Sequence, residues 1–306
     1  MKIMITGGAG YKGLKLAQAL LERGHEVTIF DNFMYGFEPC LFLFNYYPRI
    51  TLVAKDIRNI TATDVAGHDC VFHLAGISGY PACEVNPHSA QMINVGGTDR
   101  LVSCLGKEQL LIYASTTSIY GHSDHVCTED GPVHPASLYA VTKYEGEKRC
   151  LEHAKCVALR FATIFGVAPR MRWDLMANDF VMRVVQDRAL VLFDARSVRT
   201  FLHIDDAIRG YLLALDRAGE MQGQVYNVGT EQLNLSKRQL AERIKEQVDF
   251  AIIDSDLADP YVRNFLISFK KIAALDYQPQ KSLDEGIREL IALFRVYRPT
   301  TPYRII

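Results

Sequence analysis

The run Gly7-Gly8-Ala9-Gly10-Tyr11-Lys12-Gly13 limits what this chain can fold into more than any other stretch. It follows an apolar run at residues 3–6 and opens residues 10–23, where apolar positions recur at helical spacing. Spaced glycines in a strand-to-helix turn permit a tight reversal, let backbone approach a diphosphate, and seat the helix close to the strand. The free N–H groups of the helix terminus then favour negative charge. Three glycines alone are a weak signal, and a plain strand–helix turn would also use them. The strand before and the helix after carry the reading.

The rest of the chain keeps the same rhythm. Short apolar runs at residues 27–30, 51–54, 70–74, 110–114 and 157–161 alternate with helical stretches, clearest at 87–105 and 137–153. That alternation predicts an α/β fold, a Rossmann-type doubly wound parallel sheet. After Phe165 the alternation breaks at Met171-Arg172-Trp173-Asp174, and it returns at residues 201–215 and 225–228. We therefore expect a smaller C-terminal substrate-binding portion interleaved with the sheet domain. The dinucleotide domain would be residues 1–165 plus about 201–228, and the substrate portion about 166–200 plus 229–306.

Composition narrows the partners. A formal net charge of −1 over 306 residues gives no attraction to polyanions, so nucleic acid is not expected. The seven cysteines form no CxxC pair, no metal-ligand spacing and no disulfide framework, which points to no metal and to a reducing cytoplasm. Met1 to Thr6 is too short for a signal peptide, and no apolar run reaches roughly 18 residues, so no membrane span is expected.

The cofactor set extends from Gly7, Gly10, Tyr11, Lys12 and Gly13 to the ends of the next strands. Asp31 and Asn32 end the second apolar run about 20 residues beyond the glycines, where a carboxylate accepts from both ribose hydroxyls and repels a 2′-phosphate. NAD is thus favoured over NADP unless Lys12, an unusual residue in such a turn, compensates. A solvated side chain on the first helical turn is the simpler reading of Lys12. Asp56 and Ile57 follow the third run and stand where adenine would lie, and Leu74, Ala75 and Gly76 close the fourth behind His73, read as a packed histidine.

Tyr139 and Lys143 lie four apart on the helix introduced by Pro135-Ala136-Ser137, so phenol and ammonium share a face. A nearby lysine charge and a positive nicotinamide ring would both favour phenolate; a drop of about 3 units in its pKa corresponds to roughly 4 kcal/mol. Upstream, Ser115-Thr116-Thr117-Ser118-Ile119-Tyr120-Gly121 supplies hydroxyls able to hydrogen-bond a reacting oxygen.

Together the glycine turn, Asp31-Asn32, residues 115–121, residues 139–143 and Leu159-Arg160-Phe161-Ala162-Thr163-Ile164-Phe165-Gly166 resemble the NAD-dependent epimerase/dehydratase family, extended short-chain dehydrogenases/reductases that modify nucleotide sugars. Residues 199–206 and 283–287 resemble two further segments of that family. The resemblance implies that Tyr139 is the base, that Lys143 orients it and binds the nicotinamide ribose, and that Thr116 is the catalytic hydroxyl, with Ser115 as fallback. It adds Asn94 to the cofactor set. It also implies that Asn178 and Arg199, with Arg263, hold the nucleotide diphosphate beside Thr117, and that two copies pair through residues 87–105 and 137–153 as a four-helix bundle.

One departure bears on the reaction. Where the family's sugar 4,6-dehydratases carry an Asp-Glu pair after the catalytic threonine, this chain has Thr117-Ser118, neither of which shuttles protons at neutral pH. Thr163 also replaces the family's frequent asparagine. Residues 169–175 and 178–180 are similar to a bacterial subgroup that includes the GDP-manno-heptose 4-dehydrogenase. The resemblance therefore implies NAD and a GDP- or UDP-linked sugar, with epimerisation through transient oxidation of the 4-hydroxyl. A 4-dehydrogenase or 4-ketoreductase with net redox change is the alternative, and a non-catalytic dinucleotide sensor a third reading.

Overall fold

The computed structural model describes residues 1–256 and 264–299. Seven strands form one parallel sheet: β1 (Lys2–Thr6), β2 (Glu26–Asp31), β3 (Ile50–Ala54), β4 (Cys70–His73), β5 (Leu110–Thr116), β6 (Cys156–Phe161) and β7 (Gln224–Val228). Their order across the sheet is β7-β6-β5-β4-β1-β2-β3. Every residue of β4, β5 and β6 is buried, because helices cover both faces of a parallel sheet. That is why these strands read as unbroken apolar runs rather than alternating ones. The order reverses between β1 and β4, the position at which such sheets open a crevice at the carboxyl ends of their strands.

Helix α1 (Tyr11–Glu22) begins at Gly10 and buries Leu14, Leu16, Ala17 and Leu20 against the sheet. Helix α2 (Leu138–Leu151) is capped by the Ser137 hydroxyl, which accepts from the backbone N–H of Ala140 at 3.2 Å. Helix α3 (Ile204–Asp216) lies against α1, and the two are joined by a Lys15–Asp205 ion pair.

The helix expected over residues 87–105 is not continuous. It runs as Pro87–Gln91, a π-helical turn Met92–Gly96, and Gly97–Cys104. The cause is local: Asn94 turns inward and clasps Ile77, accepting from its N–H at 2.7 Å and donating to its carbonyl at 3.0 Å. Gly97 lets the next turn press onto Ile57, whose Cγ2 a Cβ there would meet at 2.7 Å. Such a bulge inserts one residue and re-aims the side chains around it.

Beyond Phe161 the chain builds smaller sheets. Val198–His203 pairs with Thr163–Phe165 and with Asn234–Ser236, not with the large sheet. Ala189–Phe193 pairs with Ala251–Ser255, and His122–Cys127 with Asn264–Ile267. A separate apolar core joins helix Met176–Asp187, through Val181 and Val184, to helix Leu283–Val296, through Ile287, Leu290 and Phe294. At the edge of this second body, Leu175, Met176 and Arg199 line the crevice. Among the described residues, no helix is long and apolar enough to cross a membrane, and no group of three or more His, Cys, Asp or Glu could hold a metal ion.

Candidate active site

A cleft of about 450 Å³ runs along the carboxyl ends of the strands, from β2 and β3 at one end to β5 and β6 at the other. Its floor is the glycine turn. Gly7 has φ +69°, and a Cβ there would stand 2.6 Å from the backbone nitrogen of Ala75, so the turn and the end of β4 touch backbone to backbone. A Cβ on Gly13 would meet the carbonyl oxygens of Gly7 and Gly8 at 2.6 Å. These contacts fit the demand that a dinucleotide makes of such a turn: open backbone at the helix terminus with no side chain above it.

Asp31 stands at the rim as expected. Its carboxylate accepts from the N–H of Ala9 at 3.0 Å and of Phe33 at 2.9 Å, which locks it across the mouth of the turn. Burial pushes its pKa up, and those hydrogen bonds oppose the rise. Asn32 donates to Asp56 at 3.3 Å, and Arg58 holds the Asp56 carboxyl down to about 2. Asp31, Asn32, Asp56, Ile57, Leu74, Ala75 and Gly76 all line the cleft. His73 does not: Thr6 and Thr98 hydroxyls occupy its two ring nitrogens at 2.7 and 2.8 Å, and burial depresses its pKa to about 3, the packed role expected of it.

At the other end, α2 presents Tyr139 and Lys143 to the cleft opposite Thr116, the last residue of β5. The Ser78 and Thr116 hydroxyls face the phenol and favour its ionised form. The expectation of a lowered phenol pKa is not met in the protein alone. Burial dominates and raises it, and among the cations it is Arg172, not Lys143, that opposes the rise. Lys143 loses proton affinity by the same burial, to about 8, and its ammonium stands over the Tyr113 ring at 4.1 Å.

Behind this pair lies a buried network. Arg160 is paired with Glu147 at 2.7 Å, Ser115 donates to Glu147 at 2.5 Å, and Arg160 donates to the Tyr120 hydroxyl at 2.9 Å. Ser115 is thereby committed to the core, which leaves Thr116 as the hydroxyl that β5 contributes beside the phenol, across from Ser78.

Four expected assignments need correction. Thr117 does not face the sugar end of the cleft: the 3-10 turn Thr117–Tyr120 rotates it inward, where its hydroxyl donates to the Phe161 carbonyl at 3.1 Å, and Ser118 lines the cleft instead. Asn94 is consumed by Ile77 and by Thr142, to which it donates at 3.1 Å, so it shapes the wall without lining it. Asn178 is likewise spent on backbone, accepting from Gly166 N–H at 3.0 Å and donating to the Arg172 carbonyl at 2.8 Å. Lys12 is no solvated side chain; it lines the cleft with its ammonium 4.6 Å from the Phe161 ring centroid. Arg199 is buried and lines the cleft, whereas Arg263 lies outside the described residues.

Two residues of the site escaped the sequence reading. Ser78 sits in the loop after β4, where only its closeness to the Leu74-Ala75-Gly76 end could have marked it. Arg172 reaches into the cleft and is held by both carboxylate oxygens of Asp174, at 2.7 and 2.5 Å. Its signal was the arginine-rich break in the strand–helix rhythm. Arg170 spans the cleft nearby, donating to the Tyr35 carbonyl at 2.9 Å with its guanidinium 4.5 Å from the Tyr35 ring.

This architecture has known counterparts. A sequence model of the NAD dependent epimerase/dehydratase family matches residues 3–229. An uncharacterised UDP-glucose epimerase of Bacillus subtilis is 30% identical, the match covering 95% of this chain and 97% of that protein. UDP-glucuronic acid decarboxylase 1 of Arabidopsis thaliana is 28% identical over 96% of this chain and 70% of its own length. Among solved structures, UDP-glucuronic acid 4-epimerase from Bacillus cereus, in complex with UDP-glucuronic acid and NAD, superposes with a TM-score of 0.84 at 28% identity, covering 96% of this chain and 99% of that one.

Proposed function

The chain belongs to the NAD-dependent epimerase/dehydratase family of extended short-chain dehydrogenases/reductases, and from that premise we propose that it is an NAD-dependent nucleotide-sugar 4-epimerase. The observation that carries this reading is the meeting of Tyr139, Lys143, Thr116 and Ser78 at one end of the cleft, with Ser118 as the cleft-facing residue where a dehydratase needs an acid or base.

Bound NAD would supply the hydride acceptor and then the donor for carbon 4, which would leave the overall reaction redox-neutral. Asp31 would hold the adenosine ribose, and the backbone of Gly10 to Gly13 would take the pyrophosphate. Tyr139 removes the proton of the 4-hydroxyl and later gives it back. Thr116 hydrogen-bonds the same oxygen and fixes its distance from the phenol, Lys143 orients the phenol and holds the nicotinamide ribose, and Arg172 supplies a positive charge that favours the phenolate. Arg199 and Arg172 are the arginines of the sugar-nucleotide end; a guanidinium suits a diphosphate because its planar fork gives paired charge-assisted hydrogen bonds. The UDP-sugar relatives favour uridine as the base, and two copies would pair through residues 87–105 and 137–153, where Met92 leaves apolar surface exposed. A cytoplasmic setting suits the seven cysteines, all of them unpaired.

The test is incubation of enzyme and NAD with a panel of UDP- and GDP-sugars in deuterated water, read by mass and stereochemistry. An unchanged mass with inverted carbon 4 supports the epimerase. Accumulating NADH with loss of two hydrogens would make it a 4-dehydrogenase. Loss of water with deuterium at carbon 6, or loss of carbon dioxide from a uronic acid, would replace the reading with dehydration or decarboxylation.

A further inference from the structure

Lys12 is the one residue of the glycine turn whose side chain has no task in the reading above. Gly7, Gly10 and Gly13 contribute by lacking side chains, and Tyr11 donates its hydroxyl to the Gly166 carbonyl at 2.7 Å, tying the turn to the far wall. A lysine at this position sends a long cation away from the Asp31 rim and toward the catalytic end. Its Nζ stands 4.6 Å from the Phe161 ring centroid and 5.6 Å from that of Tyr211. Phe161 is the register partner of Thr116 in the neighbouring parallel strand. The ammonium is therefore placed by the side chain next to the catalytic hydroxyl.

The company it keeps there is also cationic. The charges that bear on Lys12 are those of Lys143 and Arg172, and no carboxylate of a described residue is paired with it. Arg172 has Asp174 as its counter-ion, whereas Lys12 has two aromatic faces, which attract a cation weakly by comparison. A third positive group at the reacting end of a cleft is costly to the folded protein: burial first, and then the neighbouring Lys143 and Arg172 charges, depress its proton affinity to about 7. Apolar residues of similar length would fill the same space without that cost.

A positive charge in this half of the cleft discriminates between the two forms of the cofactor. The oxidised nicotinamide ring carries a positive charge and the reduced ring carries none, while the rest of the two molecules is identical. Building on the NAD-binding reading of the cleft, we propose that Lys12 is a positioning residue that biases the bound cofactor toward its reduced form, by disfavouring the oxidised ring beside Phe161 and Thr116. A 4-epimerase gains from such a bias: the 4-keto sugar must persist beside reduced cofactor long enough to present its opposite face, and early hydride return restores the starting sugar.

The experiment compares binding of NAD and of NADH to the purified wild-type protein, Lys12→Met and Lys12→Arg, each by calorimetric titration in mildly acidic buffer, where the ammonium keeps its proton. Lys12→Met is expected to tighten NAD by about tenfold or more, the scale of one like charge removed from a partly desolvated site, and to change NADH by less than about twofold. Lys12→Arg keeps a cation and should keep the wild-type ratio. Equal weakening of both cofactors in Lys12→Met would show a phosphate ligand instead, and unchanged affinities would show a bystander; either result overturns the proposal. Lys12→Gln serves as a second neutral variant if methionine in the turn impairs folding. Failure of the wild-type protein to bind either dinucleotide would overturn the cofactor reading itself, a result distinct from an unaltered ratio.

Discussion

Replacing Glu147 with glutamine removes one charge and almost no volume from a fully buried, multiply bonded carboxylate. The Glu147 and Arg160 side chains are 1% and 5% exposed. The guanidinium reaches the carboxylate through Nε at 3.0 Å and through its terminal nitrogen at 2.7 Å, and the Ser115 hydroxyl donates to the same carboxylate at 2.5 Å. Arg160 also donates to Tyr120, which donates to Asn227 at 2.7 Å, so one charge pair links α2, β5, β6 and β7. Such a pair is not itself a strong stabiliser, because withdrawing two charges from water costs about what their attraction returns. Breaking it is another matter: glutamine leaves the guanidinium buried without its counter-charge, which costs about 3–5 kcal/mol. For a chain of this length that amounts to a fall of roughly 6–15 °C in Tm. Urea unfolding and calorimetry of Glu147→Gln would measure the loss. The double variant Glu147→Leu with Arg160→Met, apolar on both sides, should recover most of it. A loss below about 1 kcal/mol in Glu147→Gln would refute the reasoning, since water or a rearranged neighbour would then be neutralising Arg160.

Tyr139→Phe should cut turnover by at least about a hundredfold while leaving NAD affinity within about twofold, since only the ionisable oxygen is lost; residual activity near wild type would assign the base elsewhere. Asp31→Ala should narrow the preference for NAD over NADP, and equal affinities in the wild-type protein would defeat that assignment. The cofactor-free protein should gain stability as pH rises through 7 to 8. Lys12 and Lys143 release their protons near about 7 and about 8 when folded, against 10.5 when unfolded, so the unfolded chain holds more protons over that interval and folding is favoured as pH increases. Urea midpoints on either side of pH 8 would read the effect, which should shrink in Lys12→Met; a midpoint that falls with rising pH would contradict it.

The central strands β4, β5 and β6 were legible because burial on both faces leaves a parallel strand no polar alternation to obscure it, as in the Leu110 to Thr116 run. The glycine turn was legible for a related reason: backbone contact between Gly7 and Ala75 admits no other residue. What the sequence hid was the direction of individual side chains. Thr117 and Ser118 are adjacent hydroxyls, and only the 3-10 turn after β5 decides that the second faces the cleft. Asn94 and Asn178 carry amides that would suit a ligand equally well, but one is drawn to Ile77 by a π-helical turn and the other to Gly166 by the close of the strand before it. Lys12 needed knowledge of Phe161 and Tyr211, residues distant in sequence that offer its ammonium two aromatic rings. Arg172 and Ser78 lie in segments without periodicity, where spacing carries no directional information.

The same limit explains why the acid–base expectation for Tyr139 failed in its unliganded form. Spacing of four residues puts Lys143 on the face of α2 that carries the phenol, yet it says nothing of how much water that face keeps. In the folded protein water is scarce, so the charged form of every group there is penalised: the phenol rises, and both lysines fall. A proton is therefore held more tightly on Tyr139 and less tightly on Lys143 than either residue alone would suggest, and the site rests with its phenol neutral. Ionising Tyr139 then depends on positive charge arriving or persisting close to the phenol. Arg172 supplies part of it permanently, through a guanidinium fixed by Asp174. A base held neutral until its cleft fills is protected from premature ionisation, and the sequence pattern of tyrosine and lysine alone could not show that the resting state is the protonated one.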